Sequence, residues 1–213
     1  MKQEENTLSV QSILKYLPKS GREKMSKQIK IYDCLDSTNI TAKNLALSGA
    51  MPGTVIIANS QTAGKGCHGK VFHSPPDHGI YISFVLDTEQ LNYSTPPLIT
   101  VSAAVSVCKA IEALTDKRPK VKWVNDILLD GKKICGILTE SVISAQSHKI
   151  QCLILGIGIN FDTPASEFPK ELQQTAGSLF DTQPAPITRN QLAAEIINRI
   201  LFTNTNYSAG YNS

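Results

Sequence analysis

Residues 64–70 read GKGCHGK. Gly64, Gly66 and Gly69 satisfy G-x-G-x-x-G, the turn of a dinucleotide-binding βαβ unit, and Gly64 to Lys70 satisfies the G-x-x-x-x-G-K of a phosphate loop. Either reading would make the chain an open parallel α/β sheet, because both loops feed a helix whose first amides hold the phosphate. The residues that follow, VFHSPPDHG (71–79), rule this out. Pro75-Pro76 forbids a helix there, and Val71 stands where a phosphate loop needs a hydroxyl for magnesium. The loop belongs to another fold. Its Lys65, His68 and Lys70, interleaved with glycines, still suit an anion clamp of free amides and cations. A plain surface turn is the other reading open at this point.

Working outward, the stretches on either side read as strands: GTVIIANSQT (53–62) runs into the loop and GIYISFVLD (79–87) leaves it. SVQSILKYL (9–17) has apolar residues at helical spacing and is ended by Pro18 and Gly21. QIKIYDCL (28–35) alternates as a strand. Ser37 or Thr38 is placed to cap a helix over NITAKNLALSG that closes on Gly49. PLITVSAAVSVCKAIEAL (97–114) is long, apolar and Ala-rich, the pattern of a largely buried helix. KVKWVND, ILLD and KKICGILTESVI then read as β segments joined through the Asp130-Gly131 turn, and KIQCLILGIGINF (149–161) follows. An amphipathic helix over 188–201 precedes a polar tail. Strands cluster in hairpins, so the fold class is α+β with a mixed, mostly antiparallel sheet backed by helices. The expected organisation is an N-terminal helix and linker over 1–27, one catalytic domain over 28–203 and the tail over 204–213.

A chain of 213 residues and 23.2 kDa, 41% apolar and 18% charged, builds one ordinary globular domain. A net charge of +3 without a basic stripe speaks against DNA as the main partner. No 18-residue apolar run and no apolar N-terminal core point to a membrane span or a signal peptide. Five cysteines without C-x-x-C fit a reducing, cytoplasmic setting. Cys34, Cys108, Cys135 and Cys152 lie in apolar runs and read as buried, whereas Cys67 reads as exposed.

Two further stretches carry chemistry. KWVND (122–126) puts Trp, Asn and Asp at a strand end, and GIGIN (156–160) puts glycines in an apolar strand where a ligand or another backbone comes close. A turn and a bulge are their bland alternatives. Taken in order, DSTN (36–39), SQTAGKGCHGK (60–70), GIYISF (79–84), KWVND, KKICGIL (132–138) and GIGIN resemble the catalytic domain of biotin protein ligases, a class II synthetase-like fold. The resemblance runs from about residue 30 to 160. It implies an enzyme that uses ATP and Mg²⁺ to convert biotin to biotinyl-5′-AMP and then passes biotin to a lysine of a carboxylase carrier domain.

By the family pattern Lys133, Lys65 and Asp126 are the catalytic candidates. Ser37, Thr38, Asn39, Gln61, Gly64, Lys65, Gly66, Cys67, Ser83, Lys133, Gly136, Leu138 and Gly156 would surround biotin. Lys65, His68, Gly69, Lys70, Phe72, Asn125, Asp126, Lys133 and Asn160 would serve ATP. Phe72 takes the place of an aromatic that packs on adenine, and Mg²⁺ would come with the nucleotide near Asn125 and Asp126, without a dedicated site. The family loop is arginine-rich, whereas this one has lysines and Cys67 at a usual arginine; lysine lacks the bidentate fork. Val124 replaces the usual Pro. Larger members add an N-terminal helix-turn-helix and a C-terminal β-barrel, neither expected here. Self-association through a sheet edge is a further expectation. A lipoate-type ligase or transferase, a catalytically weak biotin- or adenylate-binding protein, and a zinc site from His68, His73, Asp77 and His78 are the alternatives.

Overall fold

The computed structural model describes residues 6–88, 96–144, 148–181 and 184–203. The tail expected over 204–213 and the side chain of His68 lie outside the described residues. Seven strands form one sheet: β1 (Ile29–Leu35), β2 (Val55–Gln61), β3 (Gly79–Asp87), β4 (Lys120–Lys122), β5 (Asp126–Leu129), β6 (Lys132–Ile143) and β7 (Ile150–Asn160). Their order across the sheet is β1-β2-β3-β7-β6-β5-β4. Only β1–β2 is parallel and every other pair is antiparallel. This is the mixed α+β sheet that the hairpin clustering predicts.

Among the described residues five α-helices cover it: α1 (Val10–Tyr16), α2 (Arg22–Gln28), α3 (Thr38–Leu47), α4 (Pro96–Leu114) and α5 (Arg189–Asn198). Residues alternate across β7. Leu153, Leu155, Ile157 and Ile159 face the larger core, which also takes Ile13 of α1, Ala103 and Val107 of α4, and Ile196 and Ile197 of α5. Cys152 and Ile154 face the other way, under Ala42 and Ala46 of α3. α3 covers only part of that face. Beyond its N-terminus the same face of β7 carries Gly156 and Gly158, so the sheet is left bare where the helix begins. α4 is long and apolar enough to cross a membrane, but half of it is buried inside this fold, as befits a core helix.

Three expectations change. The first helix ends before Pro18 as expected, with Leu17 extended, but a 3-10 turn over Lys19–Gly21 then leads straight into α2, which the linker reading omits. That helix buries only Met25 and Gln28 and has no side-chain cap, so it leaves little periodic signal. Cys34 is exposed on the edge strand β1, while Cys67 is half-buried, the reverse of their sequence contexts. The glycine loop is also held by its own backbone. Phe72 N donates to Gly64 O at 2.8 Å, Gly66 N donates to Lys70 O at 2.7 Å, and Lys65 bridges Val71. No α-helix follows it, only a 3-10 turn at Cys67–Gly69, with Gly69 at φ +74°.

Candidate active site

The bare face of the sheet forms an open pocket of about 430 Å³, its mouth and the adjoining solvent space included. Ser37, Thr38 and Asn39 enter from the start of α3, Gln61 from the end of β2, and Lys65, Gly66, Cys67 and Phe72 from the glycine loop. Asn125, Lys133, Gly136, Leu138 and Gly156 complete the lining predicted from sequence. Tyr81, Ile137, Ile157 and Gly158 also line it; they lie within GIYISF, KKICGIL and GIGIN but were not singled out as site residues.

The floor is a network of neutral polar groups. Gln61 Oε1 accepts from the Thr38 backbone at 2.8 Å and from the Thr38 hydroxyl at 3.2 Å. Gln61 Nε2 donates to Ser74 Oγ at 2.8 Å. Ser83 is fully buried behind this layer, its Oγ 2.6 Å from Asn39 Oδ1 and 2.8 Å from Thr38 Oγ1. It supports the lining without belonging to it. Gly156 is required because a methyl there would collide with Asn39 Oδ1. Gly136 and Gly158 are cross-strand partners beneath Phe72, whose ring would lie 2.6 Å from a methyl on Gly158. Phe72 therefore turns inward onto the glycines and meets Tyr81 edge-on, with centroids 6.4 Å apart.

Charge collects at the other end. Lys133 Nζ sits 2.7 Å from Asp126 Oδ1. The Lys133 backbone is fixed from outside the sheet, since its N–H donates to Thr175 O at 2.8 Å and its C=O accepts from Gly177 N at 2.9 Å. Asn160 Nδ2 donates to Gly177 O at 2.9 Å and so holds that segment in place. Asp126 and Asn160 thus stand behind Lys133 and not in the lining. Asn125 Nδ2 approaches Cys67 Sγ at 3.2 Å, and the Cys67 thiol points to Ile137 O at 3.7 Å. Burial pushes this thiol's pKa up; Lys133 opposes the shift and the Asp126 and Glu140 carboxylates add to it.

Gly64 lies outside the lining and serves the loop's closure, because a side chain there would strike the Phe72 carbonyl. Gly69 and Lys70 are exposed on the loop's outer side. Lys65 pairs at 3.3 Å with Glu140, a carboxylate the sequence reading passed over. Among the described side chains, His73, Asp77 and His78 do not gather. His78 Nδ1 lies 3.0 Å from Asp162, Asp77 pairs with Arg189, and His73 lies against Phe168. Among the described residues no group of three His, Cys, Asp or Glu side chains is arranged to hold a metal.

The arrangement offers neutral polar groups at the start of α3 and two lysines, Lys65 and Lys133, at the loop and β6. Known proteins resemble the chain in sequence and fold. Bifunctional ligase/repressor BirA of Bacillus spizizenii is 39% identical over 179 residues, covering 84% of this chain and 53% of that protein. A biotin–[acetyl-CoA-carboxylase] ligase of Mycobacterium tuberculosis is 29% identical over 178 residues, covering 82% of this chain and 63% of that one. The chain therefore spans less than two thirds of the length of these relatives. The structure of biotin protein ligase from Aquifex aeolicus in complex with biotin and ATP superimposes with a TM-score of 0.69 at 28% identity, over 81% of this chain and 68% of that one. The model of the biotin/lipoate A/B protein ligase family matches residues 31–160, the stretch that holds every pocket residue, and the chain belongs to that family.

Proposed function

We propose that this chain activates biotin with ATP to biotinyl-5′-AMP and transfers biotin to a lysine on a carboxylase carrier domain. The observation that carries the reading is the pairing of a narrow neutral slot with two lysines at its open end. The hydroxyls of Ser37 and Thr38 and the amides of Asn39 and Gln61 suit the uncharged ureido head of biotin, and the glycines of β6 and β7 admit its flat ring. The carboxylate then lies toward Lys65 and Lys133.

In the first step a carboxylate oxygen attacks the α-phosphorus of ATP, the bond to pyrophosphate breaks, and an acyl phosphate forms. Two anions must meet, so cations and fixed geometry are what the protein has to supply. Lys133, held by Asp126 and by the 175–177 segment, neutralises both partners as they approach. In the second step a lysine amine attacks the acyl carbon, AMP leaves, and the amine sheds a proton, for which we take Asp126, the partner of Lys133, as the acceptor. One carboxylate and one amide, Asp126 and Asn125, fit a magnesium ion that arrives with the nucleotide. Such an ion would offset phosphate charge.

Biotin-dependent exchange of labelled pyrophosphate into ATP tests the reading, with lipoate as the competing substrate. Exchange with lipoate alone would replace it by the lipoate reading. Binding without exchange would favour a weak adenylate binder, a reading that the inward thiol at position 67 supports, since no cation stands there. The cytoplasmic setting and the single catalytic domain over 28–203 belong to the same proposal. So does self-association at β1 or β4, the strands that end the sheet, which sedimentation would test.

A further inference from the structure

Glu140 sits on β6 with its carboxylate divided between two elements. Oε2 accepts from Asn39 Nδ2 at 2.8 Å, and Oε1 faces Lys65 Nζ at 3.3 Å. Asn39 comes from the buried start of α3 and Lys65 from the glycine loop, so this one side chain ties the pocket floor to the loop above it. A carboxylate only accepts, so the Asn39 amide must present its nitrogen to Glu140 and its oxygen to Ser83. The loop is tied to the floor at its far end as well, where Gln61 Nε2 donates to Ser74 and the Ser74 hydroxyl donates to Phe72 O at 2.9 Å.

The two bonds of Glu140 differ in permanence. Asn39 is 4% exposed, so its end of the bond is shielded from solvent. The Lys65 and Glu140 side chains are 41% and 33% exposed, which makes theirs a weak, screened pair that another anion can displace. We propose that Glu140 is a positioning residue that fixes the Asn39 amide toward the ligand and parks Lys65 over the pocket until an anionic ligand takes the ammonium over. That the anion is the carboxylate of biotin, or its adenylate, rests on the function proposed above; the parking itself does not.

The test therefore starts without ligand. Cys67 lies two residues beyond Lys65 with its thiol tucked against Ile137 O. Its reaction with iodoacetamide, in a Cys34→Ser background and read by mass, reports how often the loop lifts. Rates are compared near neutral pH, where Lys65 keeps its charge, and each is divided by the thiolate fraction measured for that protein, so that the effect of Glu140 on thiol ionisation drops out. Glu140→Gln keeps an acceptor for Asn39 and removes the ion pair, and it should label Cys67 about two- to five-fold faster at low salt, the range of an exposed pair. Adding about 0.5 M salt should raise the rate with Glu140 in place by a similar factor and leave Glu140→Gln unmoved. A salt-insensitive rate, or equal rates in the two proteins, overturns the parking role, and the salt arm needs no substitution of Glu140.

Biotin titration is the second arm. Glu140→Gln should bind at least as tightly as the protein with Glu140, because Lys65 no longer has to leave a partner. Glu140→Ala, which leaves the Asn39 nitrogen without its acceptor, should bind about ten-fold or more weakly when affinity is measured in the folded baseline, where the lower stability expected from the lost bond does not enter. Equal affinity in Glu140→Ala overturns the positioning role. Absence of biotin binding in every protein, with labelling as expected, overturns the ligand assignment and leaves Glu140 as the loop's anchor.

Discussion

Replacing Gly156 by alanine adds one methyl group at the most constrained point of the pocket. Gly156 is paired with Ser83 of β3 on one side and Leu138 of β6 on the other, so its backbone cannot retreat. The methyl would occupy the position of Asn39 Oδ1. Asn39 must swing away and surrender its bonds to Ser83 at 2.6 Å and Glu140 at 2.8 Å. A neutral bond contributes about 0.5–1.5 kcal/mol and one to a charged group about 1.5–3 kcal/mol. The expected loss of stability is therefore about 2–4 kcal/mol, which for a domain of this size lowers the melting temperature by about 5–15 °C. Urea unfolding should show an earlier midpoint at an unchanged slope. Biotin affinity, measured in the folded baseline, should fall about ten-fold or more. Adding Asn39→Ala to Gly156→Ala should cost little further, because the first change has already removed the bonds that the second would break. Stability within about 0.5 kcal/mol of the parent, with biotin affinity retained, would refute the reasoning and show that the strand or the amide accommodates the methyl.

Three other outcomes are expected. Lys133→Ala should lower pyrophosphate exchange by a factor on the order of 10² or more while the melting temperature changes little; parent-like exchange would make Lys133 a surface lysine. Arg189→Met should destabilise by about 2–4 kcal/mol, read by urea unfolding. Arg189 is 2% exposed and its guanidinium donates to Asn6, Asn59, Gly79 and Asp77, bonds that methionine would lose. Finally, because burial raises the Cys67 pKa, the thiolate is scarce near neutral pH. The midpoint of its alkylation rate against pH should lie above that of a free cysteine, and a midpoint at or below that value would contradict the buried position.

The parts of the molecule that the sequence makes legible are those whose cause is local. β3 and β7 are apolar runs bounded by turn residues, and Pro75-Pro76 alone separates this glycine loop from a helix-opening one. α2 was hidden because Arg22–Gln28 buries too few residues to show a period. The glycines of β7 announce a close approach, but only the folded sheet shows that Asn39 meets Gly156 and Phe72 meets Gly158. Glu140 was missed for a different reason. A lone carboxylate in an alternating strand looks like any solvent-facing residue, and its partner Asn39 lies 101 positions away. The clamp on Lys133 is equally non-local, since TAG (175–177) carries no motif.

That clamp has an evolutionary and practical consequence. The stretch from 161 to the start of α5 contains just one short 3-10 turn among its described residues and resembles a region where insertions or a protease cut would pass unnoticed. Yet Thr175 and Gly177 act as a splint for the backbone of Lys133. A lengthening by one residue just before 175, or a nick between Pro169 and Thr175, would release the splint without touching the pocket. The damage would appear as slow turnover in a protein that still folds and still binds its small molecule. Tags and fusion points are therefore better placed outside this stretch, and under the proposed function a natural change in its length should be read as a change in rate.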